Sequence, residues 1–249
     1  MTKIDEYRRQ LAASHDVEAF ALANSGLPGP RGNLELIAVL AESTDEPALW
    51  RWAAMDPDEA PGNEPPVVLA VAGLVGLGIL LARGRDDVLP ELHRAAADPR
   101  WRVREGVAMA LQRLGAADGQ GLLRVARMWS ADPDPLVQRA VVAALCEPAN
   151  LRDPDVAAAV VEVLGAITAS LRARTSRRDD AVRVLRQALG YGWSVAIVAA
   201  PAAGTAAFDR LAADDDPDIR WIVRENLGKS RLVALDPDWV ARLRATPGS

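Results

Sequence analysis

Three segments of this sequence share one pattern, in which aspartate and proline precede apolar residues spaced four apart. These segments are residues 98–111, 132–145 and 214–227. In the first, the spacing of Val103, Val107 and Leu111 places all three side chains on one helical face. The corresponding triplets are Val137, Val141 and Leu145, and Ile219, Val223 and Leu227. Because aspartate favours the N-cap of a helix and proline its first turn, each segment predicts a helix with one buried stripe.

The distances between the copies predict the architecture. The first two copies begin 34 residues apart, and the second and third begin 82 apart, or about two periods of 41. Half of the 249 residues are hydrophobic, yet phenylalanine and tyrosine together number only four, a composition typical of closely packed helices. We therefore predict an all-α chain, a right-handed α-solenoid of about six helical hairpins.

The pattern indicates one repeat domain over residues 1–249. Its predicted parts are an N-terminal cap at 1–32, repeats at 33–232, and a C-terminal cap helix and tail at 233–249. Two stretches interrupt the helices. Residues 25–32 alternate proline and glycine and predict a rigid turn. Residues 56–66 are acidic and proline-rich, and we expect this loop to be the most flexible stretch of the chain.

Two glycine-bearing stretches have structural interpretations. Residues 67–82 form the most apolar run and contain Gly73, Gly76 and Gly78. With no strand before them, these glycines predict close helix packing rather than a phosphate-binding turn. The run is also shorter than the roughly 20 residues that span a bilayer. Residues 190–194, which hold two further glycines, are expected to open or kink a short apolar helix.

The few cysteines and histidines limit the chemistry. Cys146 is the only cysteine, which excludes an internal disulfide, fits a reducing compartment and predicts a buried structural thiol. His15 and His93 are the only histidines and lie far apart in the predicted array, which excludes a zinc motif or a Ser-His-Asp arrangement. The polar N-terminus lacks the apolar core of a secretion signal. We expect a cytoplasmic protein with no metal, no cofactor and no membrane contact.

Charge is unevenly distributed along the chain. The net charge is −5, but residues 1–97 carry 8 basic and 15 acidic side chains, whereas residues 98–232 carry 19 and 17. Such asymmetry can mark a surface that has a partner. The stretch 172–186 holds six arginines opposed by Asp179 and Asp180. It is interpreted either as a solvated helix junction or as a patch that contacts an anion, and the sequence leaves both open.

Glu105, Arg139 and Trp221 occupy equivalent positions off the buried face of the three copies. Each comes two residues after the first core position and is therefore rotated roughly 200° away from it. In a solenoid such positions tend to line the concave wall, where partners bind. Trp101 precedes Glu105 by four residues and lies one turn away on the same face. A carboxylate, an arginine and two indoles are thus predicted along one wall.

The copies resemble HEAT repeats, a family of helical-hairpin repeats. Asp98-Pro99 with Val103-Arg104, and Asp216-Pro217 with Ile219-Arg220, carry the resemblance, which extends from about residue 33 over most of the chain. It implies HEAT-like hairpins in the solenoid. It also implies a non-catalytic scaffold that binds a macromolecular partner, most often a protein, on its concave face.

A narrower resemblance is to the HEAT-like alkylpurine DNA glycosylases. Trp101 with Glu105 is similar to the family's tryptophan and catalytic carboxylate, although that carboxylate is usually aspartate, and Gln138-Arg139-Ala140 is similar to its arginine helix. A further aromatic residue would be Tyr191 or Trp221, each at a spacing that departs from the family. The resemblance implies a DNA partner, with Glu105 stabilising positive charge on the sugar as a cationic base leaves.

Both hypotheses place binding residues on the same predicted wall. The candidates are Trp101, Arg102, Arg104, Arg139, Tyr191, Trp193, Arg220, Trp221 and Arg224, with Glu105 catalytic only if the chain is a glycosylase. Indole faces attract cations, and arginines bind phosphate. Trp193 has a second interpretation as a packing residue of the core.

Overall fold

The structure is a computed structural model that describes residues 2–245. Within this range all regular structure is helical, with fifteen α-helices, two short 3-10 helices and no β-strand. The helices are α1 (Lys3–Ala12), α2 (Val17–Ala23), α3 (Leu34–Ser43), α4 (Glu46–Ala53), α5 (Val67–Ala82), α6 (Leu89–Ala96), α7 (Trp101–Ala117), α8 (Gly119–Ser130), α9 (Pro135–Leu145), α10 (Pro154–Ala173), α11 (Asp180–Ala199), α12 (Pro201–Ala212), α13 (Pro217–Leu227), α14 (Ser230–Leu235) and α15 (Pro237–Arg244). The prediction of an all-α repeat fold is confirmed.

The chain forms two compact units. The first, residues 1–117, contains α1 to α7, and the second, residues 118–249, contains α8 to α15. The prediction of one continuous repeat domain stays a prediction.

The repeated pattern produces the buried stripes that it predicts. All nine residues of the three apolar triplets have at most 2% of their surface exposed. Burying one such valine or leucine side chain stabilises the fold by about 1.5–3 kcal/mol, so these stripes hold their helices against the core.

Aspartate caps two of the three repeated helices. The side chain of Asp134 accepts a hydrogen bond from the Leu136 amide (2.8 Å) at the start of α9. Asp216 accepts one from the Asp218 amide (2.9 Å) at the start of α13. In the first copy Arg100 occupies the position of these capping aspartates. Asp98 corresponds to Asp132 and Asp214, and all three accept a hydrogen bond from the amide two residues later (2.7, 2.8 and 2.9 Å). The turn before the helix is therefore kept in all three copies, but the aspartate cap is replaced at α7.

Helix α5 is the centre of the first unit and contacts α3, α4 and α7. A methyl group on Gly73 would lie 2.5 Å from the Ala53 nitrogen, and one on Gly78 would lie 2.4 Å from the Ala110 Cα. These distances are too short for any side chain, so the glycines let α4 and α7 lie directly against α5. The prediction that they serve packing is confirmed.

Helix α11 is the centre of the second unit and contacts α9, α10 and α13. It continues through residues 190–194, so the expectation that this stretch opens a new helix was wrong. A Cβ on Gly190 would lie 2.8 Å from the Trp221 ring, and one on Gly192 would lie 2.9 Å from the Cys146 sulfur. Here glycine provides room for neighbouring side chains rather than a break.

One described helix, α10, has the length and apolar character of a membrane span, with a mean hydropathy of 1.7 over its most apolar window. Half of that window is buried inside the structure. The helix contacts α8, α11 and α12, and Val160, Leu164 and Ile167 are fully buried. In this fold α10 is a core helix of the second unit.

Candidate functional site

Arg100, just before α7, anchors the loop that precedes α5. Its guanidinium makes a two-pronged ion pair with Asp98 (2.9 and 2.7 Å). It also donates to the carbonyls of Met55 (2.7 Å), Asp56 (2.8 Å) and Ala60 (3.0 Å). Only 6% of Arg100 is exposed, and all five of its side-chain N–H groups are satisfied. The loop expected to be most flexible is therefore tied to the core.

Arg102, two residues further on, holds the same loop and the 25–32 turn. Its guanidinium donates to the carbonyls of Gly62 (3.1 Å) and Gly29 (2.6 Å), and to the side-chain oxygen of Asn63 (3.0 Å). Arg102 is 8% exposed, and burial lowers the pKa of its guanidinium. Of the predicted binding residues, it is one whose donors are already used inside the first unit.

A cleft of about 440 Å³ opens beside the first turn of α7. Its floor is formed by Val67, Val68 and Val71 of α5. One wall comes from residues 27–37, which include the predicted rigid turn and the start of α3, and the other wall is α7. The whole cleft lies within the first unit, and its lining is mainly aliphatic. The volume lies within the range of ligand clefts, which are also mainly apolar.

Apart from Arg102, the α7 wall is one stripe of the helix. Trp101, Glu105, Met109 and Gln112 all line the cleft, at intervals of four, four and three residues. This spacing keeps them on one face over about 16 Å of helix. The prediction that Trp101 and Glu105 share a helix face is confirmed, and that face forms a wall of the cleft.

Two large apolar side chains remain exposed at the opening. Leu34, from the first turn of α3, is 46% exposed, and Trp101 is 49% exposed. The Arg102 guanidinium lies 4.3 Å from the centre of the Trp101 ring, which fixes the indole by a cation–π contact. An aromatic and an aliphatic side chain held half in solvent at the edge of an apolar cleft are typical of a contact surface.

Within the described part of the chain, Arg31 places an unpaired positive charge at the same opening. Its side chain lines the cleft and is exposed, and within residues 2–245 it has no ion pair or hydrogen bond. An adjoining hollow of about 320 Å³ shares Arg31 and Leu34 and adds Lys3 and Glu35. Across the cleft and this hollow three cations face two carboxylates, so the local balance is one positive charge. Sequence reasoning missed Arg31 and Leu34, since it assigned their segment only to a turn and a helix start.

A larger hollow of about 700 Å³ in the first unit is lined by residues of α1, α2, α4 and the end of α3, and five of these residues carry charge. These groups already pair with each other: Glu18 accepts from Trp52 (2.8 Å) and Arg51 (2.7 Å). These bonds, the one from Trp52 foremost, lower the pKa of the Glu18 carboxyl. Its charges are therefore used for structure, and the cleft beside Trp101 is the stronger candidate.

The aromatic candidates of the second unit lie in different environments. Trp221 is half-buried, with the Arg186 guanidinium 4.7 Å from its ring centre. Tyr191 is exposed, and its hydroxyl accepts a hydrogen bond from Arg231 (2.8 Å). Trp193 is fully buried and donates to the Thr168 hydroxyl (3.1 Å). This environment agrees with its interpretation as a packing residue of the core. A partner cannot reach Trp193 in this conformation.

The remaining predicted arginines differ in their hydrogen bonds and in their exposure. Arg104 donates to the carbonyls of Asp98 and Pro99, and Arg220 donates to the carbonyl of Asp214 (3.4 Å). Arg224 is exposed, whereas Arg139 is half-buried on α9. Glu105 belongs to the first unit and Arg139 and Trp221 belong to the second, so a wall shared by all three stays a prediction.

The arginine-rich stretch 172–186 forms an ion-pair network. Arg177 pairs with Asp216 (2.5 Å) and Asp218 (3.4 Å), and Arg186 pairs with Asp218 (2.5 Å). Arg172 pairs with Asp214 (3.2 Å). These bonds connect the ends of α10 and α11 to the turn before α13. They favour the interpretation as a helix junction over that as an anion-contacting patch.

Comparison with known proteins supports the repeat assignment. Residues 63–146, about a third of the chain, match the family described as HEAT repeats. No curated protein matches the sequence. The crystal structure of an engineered protein, a structural genomics target, is similar over 98% of both chains with 15% identity and a TM-score of 0.34.

Proposed function

We propose that this chain, in which residues 63–146 form HEAT repeats, is a helical-repeat scaffold that binds a protein partner. The contact surface is the cleft bounded by α7 and residues 27–37. In the predicted solenoid this face of α7 belongs to the concave side. The observation that carries the proposal is the half-exposed Trp101 at the opening of an apolar cleft.

The energetics of association support this choice of surface. Binding sites derive most of their affinity from a few residues, with tryptophan and arginine enriched among them. Trp101 is fixed by Arg102 before any partner arrives, so little conformational entropy is lost when it is covered. Covering Leu34 and Trp101 removes apolar surface from water, which favours association.

The arginines support a protein partner over a nucleic acid. A DNA-binding surface needs several cations that converge on phosphates. Arg102 is buried against backbone carbonyls, and Arg186 is paired with Asp218. The chain as a whole carries a net charge of −5. Because these hydrogen bonds and ion pairs occupy their guanidinium groups, few of the predicted arginines remain for phosphate contacts.

The experiment compares partner capture by the full chain and by a Trp101→Glu variant. Glutamate suits the first turn of a helix, so α7 should still form. We expect proteins captured from native lysate by the wild type to be reduced at least about tenfold for the variant, because a charge replaces the apolar contact.

The matched control is Met128→Glu, which places the same charge at an apolar residue of α8 that is 57% exposed. This variant should capture the same proteins as the wild type. Capture that is equal for the wild type and Trp101→Glu, or that is lost in both variants, would remove the cleft as the contact surface.

A glycosylase-type repair activity is the second candidate, supported by the presence of Trp101 and Glu105 in one cleft. An indole attracts a cationic base, and a carboxylate one turn away stabilises charge on the sugar. The test is release of 7-methylguanine or 3-methyladenine from alkylated DNA. This candidate expects release by the wild type and a loss of about a hundredfold in Glu105→Gln. Absence of release by the wild type excludes it.

A further inference from the structure

We infer that the occupant of the cleft is an amphipathic helix of a protein partner, with an acidic residue beside its apolar stripe. This inference rests on the proposed function and specifies it. The first argument is the shape of the cleft. The α7 wall from Trp101 to Gln112 extends about 16 Å, which matches about three turns of a helix laid alongside it.

The second argument concerns backbone hydrogen bonds. An extended peptide binds well where a sheet edge pairs with its N–H and C=O groups. Residues 2–245 contain no β-strand, and both the floor and the α7 wall are helices whose backbone bonds are internal. A helical ligand satisfies its own backbone and needs only side-chain contacts. The cleft therefore favours a helix over an extended peptide.

The third argument is the position of the apolar anchors. Leu34 on α3 and Trp101 on α7 are both about half exposed and line the same cleft above the valine floor. An apolar stripe at intervals of three and four residues on the ligand presents its side chains to this floor. Burial of Leu34 and Trp101 by that stripe accounts for their exposure in the chain alone.

The fourth argument is charge. Arg31 is exposed at the opening and has no ion pair within the described residues, and Lys3 lines the adjoining hollow. Glu35, in the same hollow, offsets one of these two cations, and on the opposite, α7 wall the carboxylate of Glu105 is accompanied by the guanidinium of Arg102. A carboxylate on the ligand completes the pairing, whereas a lysine or arginine there would be repelled by Arg31. The complementary helix is therefore acidic on the flank that faces residues 27–37.

The test is an unbiased selection on the full chain. A displayed library of random peptides of about 16 residues, long enough for about four helical turns, is selected against the wild type. We expect enriched peptides to carry apolar residues at helical spacing with aspartate or glutamate beside them. An internal proline should abolish binding of an enriched peptide, because it breaks the helix.

Charge reversal then locates the contact. Binding of an enriched acidic peptide should fall about fivefold with Arg31→Glu and recover when its acidic residue is changed to lysine. Arg178→Glu is the matched control, since Arg178 is another exposed arginine outside the helices with no partner within residues 2–245. It should leave binding unchanged.

Other results overturn the inference. Enrichment of extended or basic peptides, no enrichment, or equal binding to the wild type and Arg31→Glu would exclude an acidic helix. A wild-type dimer that Trp101→Glu dissociates in light scattering would assign the cleft to a second copy of the chain. If lysate capture depends on Trp101 while the selection fails, the proposed function stands and only the helical occupant is lost.

Discussion

The guanidinium of Arg102 lies 4.3 Å from the ring centre of Trp101, its neighbour on α7. The same guanidinium donates to the carbonyl of Gly29 at 2.6 Å. One side chain thus connects the exposed indole to the opposite wall of the cleft. The arrangement of the candidate site depends on a buried residue as much as on the residues that line its opening.

The buried ion pair of Asp98 and Arg100 predicts a large loss of stability on truncation. Arg100→Ala leaves the Asp98 carboxylate and three loop carbonyls without their donor, and we expect the free energy of unfolding to fall by about 3–5 kcal/mol. Urea denaturation measures this change. Arg83→Ala, at an exposed arginine, should remain within about 0.5 kcal/mol of the wild type. A loss below about 1 kcal/mol for Arg100→Ala would contradict the structural role assigned here.

Two helix glycines predict opposite effects of the same substitution. Gly78→Ala places a methyl group 2.4 Å from the Ala110 Cα and should destabilise the chain by about 1–3 kcal/mol. Gly165→Ala, within α10, meets nothing within 4 Å and should stabilise it by about 0.5–1 kcal/mol. Thermal or urea unfolding of both variants checks the signs. Equal effects would mean that α5 and α7 are not in direct contact.

The Arg177–Asp216 pair predicts a loss of stability in acid. Burial alone raises the pKa of Asp216, but the hydrogen bond from Arg177 and the capped amides outweigh it and lower that pKa below 3.8. The folded pKa is therefore below the unfolded one. The stabilisation that the Asp216 carboxylate contributes is complete above the unfolded pKa. It is lost as the pH falls from there through the folded pKa.

Denaturation between about pH 6 and about pH 3 measures the contribution of Asp216. Asp216→Asn keeps a good helix cap but removes the titrating group, so its stability should fall less steeply with acid than that of the wild type. An identical slope for the two proteins would show that Asp216 does not contribute.

Cys146 should be chemically inert in the folded chain. Burial raises the pKa of its thiol to about 12, and thiolate is the reactive form. We expect negligible alkylation by iodoacetamide at about pH 8 under native conditions and complete alkylation in denaturant. Mass spectrometry after a timed reaction distinguishes the two states. Rapid native alkylation would mean that the α9–α11 contact opens readily.

The repeated helices were predictable because their signals are local. Val137 and Ile219 follow a capping aspartate by a fixed spacing, and the resulting stripe has one face to bury. The first copy has Arg100 at the capping position, three residues before Val103. Its bonds to the carbonyls of Met55 and Asp56, more than 40 residues away, are tertiary contacts that local spacing cannot indicate.

The candidate site was predictable in part for the same reason. Trp101 and Glu105 lie one turn apart on one helix, so their common face followed from the sequence. Arg31 and Leu34 reach the cleft only because residues 27–37 lie opposite α7, which is a tertiary contact. The continuity of α11 could not be predicted, because Gly190 and Gly192 look the same in sequence whether they break a helix or make room for Trp221 and Cys146.

The bond from Arg102 to Gly29 has a consequence for any effort to redesign the recognition surface. Substitutions of Leu34, Arg31 or Trp101 at the opening change which ligand the cleft binds. A substitution of Arg102 instead removes the bond that holds the wall of residues 27–37 to α7. Specificity and shape are thus encoded at different positions, and the second can be kept constant while the first is changed.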